Sequence, residues 1–390
     1  MRPSRRRPKS SKTRSHGLKT KSFLGGALTL LLAALVGCGG ESPEVESAQS
    51  ETSDEPTRSV VLYTSADDYL VDQVVAVFEQ RTGIDVLGVG DTEATKTVGL
   101  YQRLVNEKDA PRSDVWWSSE PFYTARLADE GVLAPFTAER AHQDFGGGWP
   151  SAMRAEDGTW YGFALRARVI AYDTRKIESP PLALRDLAEP KWRGKVGIAR
   201  PLFGTTVGHV AALVHLWGEG PTRSWLEAMK ANDVRLYDSN SAVVRAIADG
   251  EIELALTDTD DVWVGQENGW PVGLAYEASE LPIGVPLVQG EVPPLSGFGP
   301  LTIPNTVGRV AGGPNAAEAA ELIEFLISAE GERLIMGSDS RNVPLRADLA
   351  SELAATHPQT VIESPAQPDL AGVAADIEAA RDLARDVLGL

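Results

Sequence analysis

The chain holds a single cysteine, Cys38, in 390 residues, so no disulfide can close within it. Its five histidines make no metal pattern. There is no His-Glu-x-x-His, and His209 and His215, six residues apart, fall on different faces of a helix. A phosphate loop of the nucleotide-hydrolase kind is missing, and no Gly-x-Ser-x-Gly stands at a strand-turn-helix position, so nothing marks a nucleotide hydrolase or a serine hydrolase. Positive charge is scarce: 37 Lys and Arg stand against 55 Asp and Glu, a net of −18. That balance argues against nucleic acid as a partner. The nine tryptophans are scattered, which leaves little for a sugar cleft in an exported hydrolase built on Glu120, Asp258, Asp260 and Asp261.

The few basic residues are unevenly placed. Nine of them lie in residues 1–22, with no acid among them. Phe23 to Val36 is an apolar run too short for a comfortable membrane span. It ends Leu35-Val36-Gly37-Cys38, which resembles a bacterial lipobox, so residues 1–37 are expected to be a lipoprotein signal peptide and Cys38 the lipidated first residue. Loss of residues 1–37 would take the net charge to −27. Residues 38–58 are small, polar and acidic and read as a flexible tether. The chain is thus expected to be exported and held at the cell envelope by lipid.

From Val60 the pattern is α/β. Val60-Val61-Leu62-Tyr63 reads as a buried strand, a helix follows with Val71, Val74, Val75 and Phe78 on one face, and Ile84 to Val89 is a second strand. Ser113 to Trp117 is a third. The three strands end in polar tips: Thr64, Ser65 and Asp67; Asp91 and Thr92; Ser119 and Glu120. In open α/β sheets ligands sit at the carboxyl ends of strands, which makes these tips candidates, although each alone is also a normal helix cap. Trp160 to Ala164 and Arg166 to Tyr172 read as two further strands, with Arg166 and Arg168 on one face. Gly204-Thr205-Thr206 opens a helix whose free N–H groups suit an anion, or simply a hydroxyl cap.

The richest stretch is Tyr237 to Trp263. Asp238, Ser239 and Asn240 open an amphipathic helix with Val243, Val244 and Ile247 inward, ending at Asp249-Gly250. A strand from Ile252 to Leu256 follows and runs into Asp258, Thr259, Asp260 and Asp261. Carboxylates clustered at a strand end suit a binding site, because such charges stay buried only when paired or bound to a cation. A solvated loop in which Asp258 or Asp260 caps the next helix fits as well. Ala316 to Met336 and Leu370 to Leu388 each read as one long helix.

The runs Y-T-S-A-D-D-Y-L, V-F-E-Q-R-T-G-I-D-V, D-T-E-A-T-K-T-V-G-L, S-D-V-W-W-S-S-E, R-A-R-V-I-A-Y-D-T-R-K and S-N-S-A-V-V-R-A-I-A-D-G-E, with Leu301 to Leu345, resemble bacterial extracellular solute-binding proteins of ABC importers, in the ferric-iron-binding subgroup. The resemblance implies a two-lobed periplasmic-binding-protein-like (type II) fold with a hinge of crossover strands. It implies lobe 1 over 59–165, lobe 2 over 166–275, a return over 276–310 and closing helices over 311–390. It further implies a monomer that delivers a small solute to a permease and ATPase and has no catalytic cofactor.

The candidate ligand residues are Thr64, Ser65, Asp67, Asp91, Thr92, Ser119, Arg166, Arg168, Thr205, Thr206 and Asn240, and the candidate metal residues Glu120, Asp258, Asp260 and Asp261. For these the resemblance implies an arginine of the Arg166–Arg168 segment facing the cleft, an anion-holding turn at Thr205 and Thr206, and Glu120 matching a glutamate ligand of some members. One departure stands out. Ferric-iron binders bring two adjacent tyrosines to the cleft where this chain has Asp260-Asp261. Carboxylates are hard donors that suit Fe(III) but also Ca, Mg and Mn. An acidic cleft of this kind could hold iron, another metal ion or a metal–anion complex. Alternatively it could hold an organic solute such as a polyamine, a phosphonate or a sugar phosphate.

Overall fold

Strand β1 (Ser59–Thr64) pairs in parallel with β2 (Asp85–Gly90) on one side and β3 (Val115–Ser118) on the other. The computed structural model describes residues 58–91, 97–145, 148–278, 299–366 and 368–390. Cys38, Thr92 and most of the proline-rich loop at 293–300 lie outside the described residues.

The helix Asp68–Thr82 joins β1 to β2. It buries Leu70, Val71, Val74 and Phe78 and stops where Gly83 turns left-handed, at φ 69°. That backbone conformation costs glycine nothing and most other residues about 1 kcal/mol or more. The remaining strands are β4 (Leu133–Ala134), β5 (Trp160–Asp173), β6 (Val196–Ala199), β7 (Arg235–Tyr237), β8 (Leu254–Asp258), β9 (Val272–Ala275) and β10 (Thr302–Val310). The sheet order is β2-β1-β3-β10-β5-β8-β6-β7, with β4 beside β10 and β9 beside β5. The first three strands are parallel, β6 is parallel to β7 and β8, and β5 and β10 run antiparallel to their neighbours.

Strand β5 is the one that matters for the site. Sequence reading makes two strands of it, broken at Leu165. The chain instead continues through the break by a bulge: Ala164 takes φ 46°, and the register against β10 jumps there. A bulge adds one residue without ending the strand. The carbonyl of Ala164 accepts from Asn305 Nδ2 at 2.8 Å, so the bulge leaves it satisfied. Up to Ala167 the strand pairs with β10; from Arg168 it pairs with β8. The same strand therefore links the two halves of a two-lobed α/β fold of the type II kind.

Three other expectations are corrected. Strand β8 is Leu254–Asp258, two residues later than Ile252 to Leu256, because Asp258 itself pairs in register with Arg168. The stretch from Ala316 to Met336 is two helices, Ala316–Leu326 and Ala329–Met336; Ser328 caps the second by accepting from Gly331 N at 3.0 Å. The terminal helix is likewise split at Asp376 into Leu370–Ala375 and Ile377–Leu388. Of these, Leu370–Ala375 packs on the helix Phe122–Asp129, and Ile377–Leu388 on the helices Gly204–Trp217 and Glu219–Ala231. One apolar core runs through all of them, from Trp116 and Phe122 to Val207, Leu213, Leu254, Ile377 and Leu383.

Candidate functional site

The carboxyl ends of β1 and β3 meet the ends of β6, β7 and β8 around a cavity of about 690 Å³. Its floor is built on β5. Side chains two apart on a strand share a face, so Arg166 and Arg168 both turn toward the end of β8. Arg168 Nη1 donates to Asp258 Oδ1 at 2.7 Å, and Arg166 Nη1 donates to Asp260 Oδ2 at 2.9 Å and to Asp258 Oδ2 at 3.5 Å. Arg166 also donates to the Ser119 carbonyl at the tip of β3. All four side chains are buried: Arg166 is 6% exposed, Arg168 3%, Asp258 1% and Asp260 7%.

Asp258 has the most partners. Beyond the two guanidiniums it accepts from Thr205 Oγ1 at 2.6 Å and Asn240 Nδ2 at 3.0 Å. These donors come from the first turns of two helices, Gly204–Trp217 and Asn240–Ala248. Thr206 Oγ1 donates to Asn240 Oδ1 at 3.2 Å, which orients the amide. Burial alone would raise the pKa of Asp258. Arg168, Arg166 and the Thr205 hydroxyl overcome it and hold the group below the ordinary carboxylate value. Asp260 goes the other way. Burial raises it, the neighbouring charges of Asp258 and Asp67 add to that, and Arg166 only partly offsets them. Its second oxygen, Oδ1, is buried without a hydrogen-bond partner. Asp258, Asp260 and Asp261 each offer an oxygen within 4.8 Å of the others.

Of the residues singled out from sequence, Ser65, Asp67, Asp91, Ser119, Arg166, Thr205, Thr206, Asn240, Asp258, Asp260 and Asp261 line the cavity. Thr64 and Arg168 lie behind it: Thr64 Oγ1 accepts from Ala66 N at 3.0 Å, and Arg168 supports Asp258. Glu120 is also behind the wall. It is wholly buried and its carboxylate accepts from Phe122 N at 2.7 Å, Tyr123 N at 3.3 Å and Ser118 Oγ at 3.3 Å. Those partners bind it to the start of the helix Phe122–Asp129, and it does not share in the aspartate cluster. Thr92 lies outside the described residues.

Sequence reasoning missed Tyr69, Arg200 and Trp270, which also line the cavity. Tyr69 directly follows the Asp67-Asp68 turn, a position that could have flagged it. Burial of its phenol, with the charges of Asp260 and Asp67, holds the proton on well above the usual range, although the residue as a whole is 44% exposed. Arg200 pairs with Asp238. Trp270 has no local signal; it reaches the cavity from the turn before β9.

Two buried groups give the stability opposite pH slopes. Burial lifts Glu120 to about 7, against the pull of the Phe122 and Tyr123 amides. The folded state then holds a proton that the unfolded chain has released, so this group's contribution falls as pH rises from about 4.5 to about 7. His209 is pushed down to about 3 by burial and by Arg168, so its contribution falls as pH drops below about 6.5. Glu120→Gln is therefore expected to flatten the melting-temperature profile between pH 4.5 and 7 and to raise the melting temperature at pH 8. An unchanged profile would show that Glu120 titrates normally in the fold.

The profile of bacterial extracellular solute-binding proteins matches residues 73–366. The chain belongs to this family. Among its relatives is iron uptake protein A1 of Synechocystis sp., 28% identical over 336 residues, which is 84% of this chain and 88% of that one. The major ferric iron-binding protein of Neisseria meningitidis is 29% identical over 199 residues, half of this chain and 57% of that protein. The crystal structure of iron-bound HitA from Pseudomonas aeruginosa superimposes with a TM-score of 0.69 over 85% of this chain and all of the other, at 23% identity, a likeness of fold. As a solute-binding protein of this family the chain captures a ligand and does not transform it.

Proposed function

We propose that this protein captures a cationic cargo between its lobes, with ferric iron, free or as a complex, the first candidate. One observation carries the reading. The cavity is lined by seven aspartates, Asp67, Asp68, Asp91, Asp238, Asp258, Asp260 and Asp261, against two arginines, Arg166 and Arg200. Asp258 and Asp260 are buried, Asp67, Asp91 and Asp261 half-buried and Asp68 and Asp238 exposed, and such an excess of negative charge around one cavity favours a bound cation. The donor atoms are hard oxygens: the unpartnered oxygen of Asp260, the carboxylates of Asp261 and Asp67, and the phenol of Tyr69. Tyr69 would lose its proton on binding a trivalent metal, as metal ligands do. The named cargo of the iron-binding relatives agrees with this set.

The rest of the reading rests on sequence and family. Lobes at 59–165 and 166–275 close on the cargo, helped by the return segment and the C-terminal helices. The loaded protein docks to a permease with its ATPase. Export by the signal at residues 1–37, a lipid at Cys38 and a monomeric state belong to the same proposal.

The test is a thermal-shift screen of chelator-stripped protein against Fe(III)-citrate, Mn(II), Ca(II), Mg(II) and spermidine. Binding at a hundredfold excess over Kd stabilises by roughly 2.7 kcal/mol, a readable rise in melting temperature. The rise is expected with Fe(III) and is expected to vanish in Asp260→Ala and in Asp261→Ala. No rise with any cation would overturn the reading.

A further inference from the structure

The donors that open the second wall of the cavity look ready for an anion from outside. Thr205 and Thr206 stand in the first turn of a 14-residue helix and Asn240 in the first turn of another. Helix starts carry partial positive charge and unsatisfied N–H groups. Yet the side-chain donors there are already engaged by the chain's own carboxylate, since Thr205 Oγ1 and Asn240 Nδ2 both point to Asp258 Oδ2, at 2.6 and 3.0 Å. Each arginine at the site has an internal counter-ion too: Arg168 with Asp258, Arg166 with Asp260, Arg200 with Asp238. Arg168 keeps Nε and Nη2 without partners, but it is 3% exposed and does not line the cavity, so a solute there cannot reach it.

We infer that Asp258 serves as a built-in anion that occupies the helix-start subsite and makes the protein selective against anionic solutes. It would bar phosphate, phosphonates and phosphate esters from this subsite and would let the cavity take a cation with no accompanying anion at Thr205 and Asn240. The inference rests on the cation-binding reading for its purpose, but not for its geometry: the subsite is filled whatever the cargo.

The test needs no iron. Trimming Asp258 to alanine removes the carboxylate, opens its volume and leaves Arg168 with Thr205 and Asn240 facing the gap. Small anions should then replace the lost side chain. Formate and inorganic phosphate are expected to raise the melting temperature of Asp258→Ala, with phosphate binding at least about tenfold tighter than to the native protein, since a charge-assisted hydrogen bond commonly gives that factor. Native protein should show no saturable response to either anion. Should Asp258→Ala fail to fold, the pair Asp258→Ala with Arg168→Met leaves no orphaned charge, and phosphate should still bind it at Thr205 and Asn240. The inference is overturned if native protein already binds phosphate and loses it in Thr205→Ala, or if folded variants respond to anions no more than native. Cation binding is scored separately in the metal screen, so failure of one reading does not disguise failure of the other.

Discussion

Arg168→Ala is expected to lower the unfolding free energy by about 3–5 kcal/mol, the usual cost of breaking a buried ion pair by removing one partner. The geometry places it at the upper end. Arg168 and Asp258 are 3% and 1% exposed, their contact is 2.7 Å, and they stand opposite each other in the β5–β8 register. Without Arg168, Asp258 keeps only Arg166 at 3.5 Å and the Thr205 and Asn240 donors to balance a charge that is 1% exposed. Asp258 has its pKa held low in the folded state, so its share of stability is present above pH 3.8 and lost as pH falls through the folded value. In Arg168→Ala that acid loss should begin at higher pH. Denaturant unfolding at pH 7 and pH 5 measures both effects. A companion Arg168→Ala/Asp258→Ala variant should lose clearly less than the sum of the two single changes. A loss under about 1 kcal/mol in the single variant would mean that the pair is not the keystone of the floor.

The second large effect is expected at Gly208. A Cβ built there would lie 2.1 Å from Phe122 Cε2 and 2.4 Å from Cδ2. Phe122 is fully buried at the start of the helix Phe122–Asp129, and Gly208 lies one turn beyond Thr205 on the helix Gly204–Trp217. The ring occupies the notch that the missing side chain leaves, so these two helices pack closely where the two halves of the fold meet. Gly208→Val must push them apart, at a cost of about 3 kcal/mol or more, the top of the range for overpacking a core. Because Thr205 rides on the same helix, its hydroxyl should shift from Asp258, and cation affinity should fall together with stability. Phe122→Leu in the Gly208→Val background should restore part of both by making room. Equal unfolding midpoints for Gly208→Val and native protein would show that the contact is not tight in solution.

Much of the site was legible from residue types and order. Polar tips at Ser65, Asp67, Asp91 and Ser119 end parallel strands, and such ends converge in any doubly wound sheet. The acidic run after β8 was visible as a charge pattern, and Ser239 caps its helix as its position promised, accepting from Ala242 N at 3.1 Å. The mispredicted boundaries have different causes: at Leu165 a distant strand turns the break into a bulge against Pro304–Asn305, and after Ile327 the local bond from Gly331 N to Ser328 Oγ starts a new helix.

The sequence by itself determined the α/β class, the family, the acidic character of the cleft and the two arginines of β5. The class, the acidity and the arginines follow from composition and periodicity along the chain, and the family from the resemblance of its motifs, none of which needs a folded partner to be read. Tertiary structure decided the roles of those charges. Asp258 and Asp260 are two residues apart and chemically identical, yet one is held ionised by Arg168, Thr205 and Asn240, and the other is left with an oxygen that faces no donor. In sequence Glu120 is as good a candidate ligand as either, but in the fold its carboxylate accepts from the amides of Phe122 and Tyr123. The reason is electrostatic: a carboxylate's charge state and availability depend on which donors reach it through a low-dielectric interior, and for Asp258 residues 18 to 92 positions away supply those donors.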